Sequence, residues 1–106
     1  MPKYMFIGRY TAEGARGVMK EGGSGRVRAS EQIIGSVGGT VLANYWGFGE
    51  DDFYVIAELP DNAAAASASL AVGGSGAVGL RTVVLMTAEE VDEATRRSAD
   101  YRPPGA

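Results

Sequence analysis

Asn44, Trp46, Asp52 and Tyr54 are the side chains whose types and spacing could serve organic chemistry in this chain. Asp52 would be the general base, the more effective if it is withdrawn from water. Asn44 and Tyr54 would orient a substrate by hydrogen bonding, with Trp46 and Phe48 as a stacking wall. The same residues also have a blander use. Trp46 and Phe48 could be buried anchors of a subunit interface, and Asp52 the cap of a hairpin. Histidine and cysteine are both absent. That removes the Ser-His-Asp triad, thiolate nucleophiles, zinc–cysteine sites, histidine-ligated haem and the 2-His-1-carboxylate iron site. Any chemistry must run on carboxylates, Tyr, Trp, Asn, Arg or Lys, and no metal or cofactor is expected.

Other patterns carry less chemistry. Gly22 to Arg28 is a glycine-rich turn leading into a helix, with Lys20, Arg26 and Arg28 nearby. Helix amides and arginines of this kind suit an anion, although Glu21 dilutes the field and the stretch also reads as a helix break with solvated charges. Arg9 and Arg81 could hold a carboxylate or pair with Glu58. Gly74 to Gly79 satisfies G-x-G-x-x-G, but it follows a helix and enters a strand, the reverse of the dinucleotide arrangement. Met5 to Gly8 is faintly like an RNA-recognition strand, yet Asp52 to Leu59 lacks the companion basic and aromatic motif, so no nucleic acid is expected. Glu50, Asp51 and Asp52 lack calcium-loop spacing and read as a solvated turn.

The elements that must position these residues are legible from periodicity. Lys3 to Tyr10 is rich in aromatic and β-branched residues and predicts a strand. Thr11 caps a helix from Ala12, which Gly22-Gly23 interrupts; a second helical piece runs from about Ser24 with Val27, Ser30, Ile34 and Val37 on one stripe and Ile33 beside them, ending at Gly38-Gly39. Thr40 to Phe48 and Asp52 to Leu59 flank the turn Gly49-Glu50-Asp51 and predict a hairpin. Pro60-Asp61 leads into an alanine-rich helix, Asn62 to Val72, followed by a strand from about Ala77 to Met86. Thr87 and Glu90 form a capping-box signature for a short helix to about Ser98. The order β-α-β-β-α-β predicts an α+β, ferredoxin-like fold with a four-stranded antiparallel sheet, helices on one face and an extra C-terminal helix. Residues 1–99 would be one domain and 100–106 a tail.

Such a sheet leaves one face open. With a three-residue loop at Gly49 to Asp51, that face carries Asn44, Trp46, Phe48, Asp52, Tyr54, Ile56 and Glu58, while Val41, Ala43, Tyr45, Phe53, Val55, Ala57 and Leu59 lie beneath the helices. A two-residue loop would shift the pairing and reverse the assignment. An open face this aromatic predicts a homodimer, sheet against sheet, with a pocket for a small organic ligand either at the dimer seam or between sheet and helices. The net charge of -3 over 106 residues gives no basic face for nucleic acid or anionic membrane. With no leader pattern and no long apolar run, the expected location is cytoplasmic.

The succession Gly8-Arg9-Tyr10-Thr11, Gly14, Gly17, Glu21-Gly22-Gly23, Arg26, Gly38-Gly39, Phe48-Gly49-Glu50 through Asp52, and Glu58-Leu59-Pro60-Asp61 resembles the GYD family, and Thr87 to Glu90 fits it too. The resemblance covers nearly the whole chain. It implies a ferredoxin-like fold in the dimeric α+β barrel superfamily. The family's name reflects a Gly-Tyr-Asp signature at the hairpin; Asp51 stands at the tyrosine's expected place, so no role for that tyrosine carries over. The wider superfamily includes cofactor-independent monooxygenases, isomerases, haem enzymes and ligand sensors. Asn44 and Trp46 are similar to the polar-aromatic sets of its cofactor-free oxygenases. The resemblance thus implies either oxygenase- or isomerase-like chemistry, or a non-catalytic module that binds a metabolite or assembles with itself.

Overall fold

A computed structural model describes residues 1–106. The chain runs β1 (Lys3–Tyr10), α1 (Ala12–Ser36), β2 (Thr40–Trp46), β3 (Phe53–Glu58), α2 (Asn62–Gly73), β4 (Val78–Leu85) and α3 (Ala88–Arg96). The four strands form one antiparallel sheet in the order β2-β3-β1-β4. This is the α+β, ferredoxin-like arrangement expected from the element order, with the added C-terminal helix.

Local chemistry sets the element ends. The Thr11 side chain accepts from the Gly14 amide, and its hydroxyl donates to Gly76 O at 3.0 Å, which pins the start of α1 to the loop before β4. α1 breaks at Gly22, whose φ of 80° and ψ of 169° are open to glycine and strained for other residues. Gly38 adopts φ 87°. Its amide reaches Gly35 O, and the Gly39 amide reaches Ile34 O at 2.9 Å, the paired bonds of a Schellman ending. Asp61 caps α2 through the Ala64 amide at 2.9 Å. Thr87 and Glu90 cap each other reciprocally at the start of α3.

The core lies between the sheet and the two longer helices: Tyr4, Phe6, Ile34, Val55, Ala57, Leu59, Ala65 and Ala68. Alanines at 65 and 68 let α2 approach the strands closely. Tyr4 keeps its hydroxyl satisfied by donating to Asn62 Oδ1 at 2.6 Å. α1 rests on β2 and β1, and α2 on β4, with little contact between the helices themselves. A cleft remains between them.

The hairpin register differs from the one expected. The Gly47 amide bonds to Asp52 O at 3.0 Å, so the loop comprises the four residues Phe48 to Asp51, and Trp46 faces Phe53, Tyr45 faces Tyr54 and Asn44 faces Val55. A bulge at Leu42, between Val41 and Ala43, then shifts the ladder by one. Trp46 and Asn44 therefore lie on the helix side with Phe53 and Val55, whereas Tyr45 and Ala43 move to the open face with Tyr54 and Ile56. On β3 the expected facing holds: Val55, Ala57 and Leu59 are buried. Val41 also stays beneath the helices.

Met5, Ile56 and Leu85 remain only half-covered on the open face, and Tyr45 and Val83 are exposed. Every residue from Met86 to Ala106 is exposed. The radius of gyration is 16.7 Å, against about 13 Å for a compact domain of this length. α3 and the tail thus form an arm that stands away from the body. No helix is long and apolar enough to cross a membrane.

Candidate functional site

The polar and aromatic residues that do converge lie beneath α1. A half-open cavity of about 60 Å³ sits between the sheet and the helices; eleven of its fourteen lining residues are hydrophobic, so its chemistry is set by the few polar groups. Its floor is Phe6, Phe53 and Val55 from the strands, and Ile33 and Ile34 cover it from α1. Alternation along β1 and β3, together with the four-residue loop, brings Tyr10, Asn44 and Trp46 to the same side.

Trp46 is held through its indole N–H, and its neighbours fix the surroundings. Its Nε1 donates to Tyr10 Oη at 3.0 Å. The Tyr10 ring packs at 5.3 Å on Phe53, tilted by 40°. From above, the Gly23 backbone lies so close that an added Cβ would touch the indole at 3.8 Å. Asn44 contributes an amide whose Nδ2 is buried without a hydrogen-bond partner. Such an orphaned donor usually costs about 1–3 kcal/mol, so a native protein that keeps one has a reason to do so.

Arg26 is the single charged side chain on the cavity wall. It also borders the cleft of about 440 Å³ between α1 and α2, with Glu13 and Glu21 on the same wall. Arg26 Nη1 lies 3.5 Å from Glu21 Oε2 across the Gly22 break, and its side chain is about one-third exposed at 34%.

The remaining sequence candidates lie elsewhere. Asp52 is half-buried on the far side of Trp46, in a surface depression shared with Tyr10, Ala15 and Phe48. Its Oδ2 accepts the Tyr10 amide hydrogen at 2.9 Å, while its own amide donates to Gly8 O at 2.8 Å. It ties the hairpin to β1. Tyr54 lies on the opposite face of the sheet beside Ile7 and Tyr45, so Asn44, Asp52 and Tyr54 do not surround one point. Arg9 is exposed and makes no ion pair; Phe48 is fully exposed at the hairpin tip.

The acidic turn is only partly solvated. Asp51 Oδ2 accepts from Arg81 Nη2 at 2.9 Å, and Glu58 pairs with Lys3 at 3.3 Å rather than with Arg9 or Arg81. Sequence reasoning overlooked Tyr10 and Ile33. Tyr10 was within reach, since it shares strand parity with Tyr4 and Phe6. Ile33 adjoins the α1 stripe, but nothing in the pattern marks it as a cavity wall.

Neither a curated protein nor a solved structure matches the chain. A family model described as the GYD domain matches residues 4–95, a span that runs from the first strand into the C-terminal helix. It includes Asn44, Trp46, Arg26 and the hairpin, and the chain belongs to the GYD domain family.

Proposed function

We propose that this GYD domain binds a small organic molecule in the cavity beneath α1, with Trp46, Asn44 and Arg26 as its contacts. The unpartnered Asn44 amide in a mostly apolar wall carries this reading, because a bound acceptor would supply the missing hydrogen bond. Binding without catalysis accounts for the geometry best. The carboxylate suited to act as base, Asp52, is engaged with the Tyr10 amide outside the cavity, and Tyr54 lies across the sheet. Oxygenase- or isomerase-like turnover would require a base at the cavity itself. Native mass spectrometry of protein purified from its own host tests the proposal. A stoichiometric small molecule that is lost in Trp46→Ala supports it. A ligand retained in that variant, or ligand-free protein that also fails to bind any member of a metabolite library, refutes it.

A second reading, self-assembly into a dimer, rests on a separate observation. The open sheet face carries Met5, Tyr45, Tyr54, Ile56, Val83 and Leu85 without a covering layer. Four strands about seven residues long offer roughly 450 Å² in projection, which side-chain relief raises toward the roughly 800 Å² of accessible surface per partner usual in a stable interface. The exposed arm, Met86 to Ala106, would supply the remainder by lying on the second copy. Sedimentation analysis decides this: a concentration-independent monomer would exclude it.

A further inference from the structure

The cavity and the cleft meet at Arg26, which lines both and is the only basic residue on either wall. Its single ionic partner, Glu21, lies at 3.5 Å through Nη1, so most of its five N–H donors carry no ion-pair contact. Because α1 resumes after the Gly22 break, Arg26 sits near the positive end of that second helical piece, where an anion is favoured. On one side of the neck the walls are apolar, with Asn44 beyond. On the other side Glu13 and Glu21 face the cleft.

We infer that the site takes a small amphipathic monocarboxylate. Its carboxylate is held by the Arg26 guanidinium in the wet cleft, and its apolar body of a few carbon atoms enters the cavity toward Trp46 and Phe53. The planar fork of arginine matches a carboxylate with two parallel hydrogen bonds, and the ligand competes with Glu21 for it. Glu13 and Glu21 set the charge limit: a dicarboxylate or a phosphate ester would place a second negative charge against them. Cavity size sets the other limit. An apolar cavity of about 150 Å³ holds the six carbons of benzene, so on the same scale the 60 Å³ available here takes the tip of a chain, about two or three carbon atoms, while the rest of a branched chain or a ring would rest across the mouth on the Trp46 indole. A carbonyl or hydroxyl on the inner end would meet the Asn44 amide.

This inference rests on the cavity-binding reading above, and one calorimetric experiment separates the two. Isovalerate, hexanoate and benzoate are titrated into the full-length protein beside their primary amides and succinate. The acids should bind about tenfold or more tightly than the amides, because a charge-assisted pair is exchanged for a neutral hydrogen bond, and succinate should bind more weakly than the monoacids. Arg26→Gln should weaken the acids by about the same factor and the amides much less, so that the two series converge. Glu21→Gln should strengthen the acids by freeing the guanidinium. Amides that match the acids, with both variants silent, would overturn the carboxylate assignment and leave the cavity as a neutral-ligand site. If neither series binds, the cavity-binding reading fails with it.

Discussion

Replacing Asp52 by alanine should destabilise the fold by removing one bond that the structure places well. Asp52 Oδ2 accepts the Tyr10 amide at 2.9 Å, and both residues are half-buried. Tyr10 directly precedes the Thr11 cap of α1, so the carboxylate also sits at the positive end of that helix. A hydrogen bond to a charged group is worth about 1.5–3 kcal/mol, and partial exposure favours the lower end, about 1.5 kcal/mol. The backbone bonds of Asp52 to Gly8 and Gly47 survive the substitution, so the hairpin register should hold. For a domain of this size the loss corresponds to a fall in Tm of about 6–12 °C. Asp52→Asn keeps an acceptor oxygen and should lose about a third as much. Urea unfolding followed by Trp46 fluorescence, alongside thermal melts by circular dichroism, measures both variants. An alanine variant within about 0.3 kcal/mol of the parent, or an asparagine variant as damaged as the alanine one, would refute a structural role for this carboxylate.

Three further outcomes follow from packing. Gly14→Ala places a methyl group on the carbonyl of Ala77, which is backbone and cannot swing away; a loss of about 1–3 kcal/mol is expected in urea unfolding, and an unchanged midpoint would contradict the close approach. Asn44→Leu removes an unpartnered buried amide, so it should raise stability by up to about 1 kcal/mol while weakening ligand binding, a pairing of effects that a merely structural asparagine would not give. Truncation after Met86 removes residues that are all exposed; the monomer should unfold at the same urea concentration, and any dimer should dissociate more readily in sedimentation analysis.

Much of the fold was written in residues whose local chemistry admits one outcome. Gly38-Gly39 could only end a helix in the left-handed region, and the Thr87–Glu90 pair closes on itself without tertiary help. The Gly22 break likewise needed no context. The site was less legible, for a physical reason. Strand parity has a period of two, and both Gly47 and Gly49 could open the turn. Choosing a three-residue loop over the actual four, Phe48 to Asp51, reversed the facing of Asn44, Trp46 and Tyr45, and the Leu42 bulge then restored it at Val41. No composition signal marks that bulge. The partners of Arg81 and Glu58 were equally hidden, since ion pairs across a sheet depend on strand register and loop path, which the sequence leaves open.

Titration of isotope-labelled protein with isovalerate, monitored at side-chain and backbone NH resonances, is the most direct examination of the cavity. Trp46 is the single tryptophan, so its indole signal is unique, and the Asn44 amide lies across the same space. Both signals should move with one common dissociation constant, while the backbone amide signals of Tyr45 and Tyr54 on the opposite face stay still. Movement confined to that opposite face, or none at Trp46 and Asn44 at saturating ligand, would contradict a binding site beneath α1.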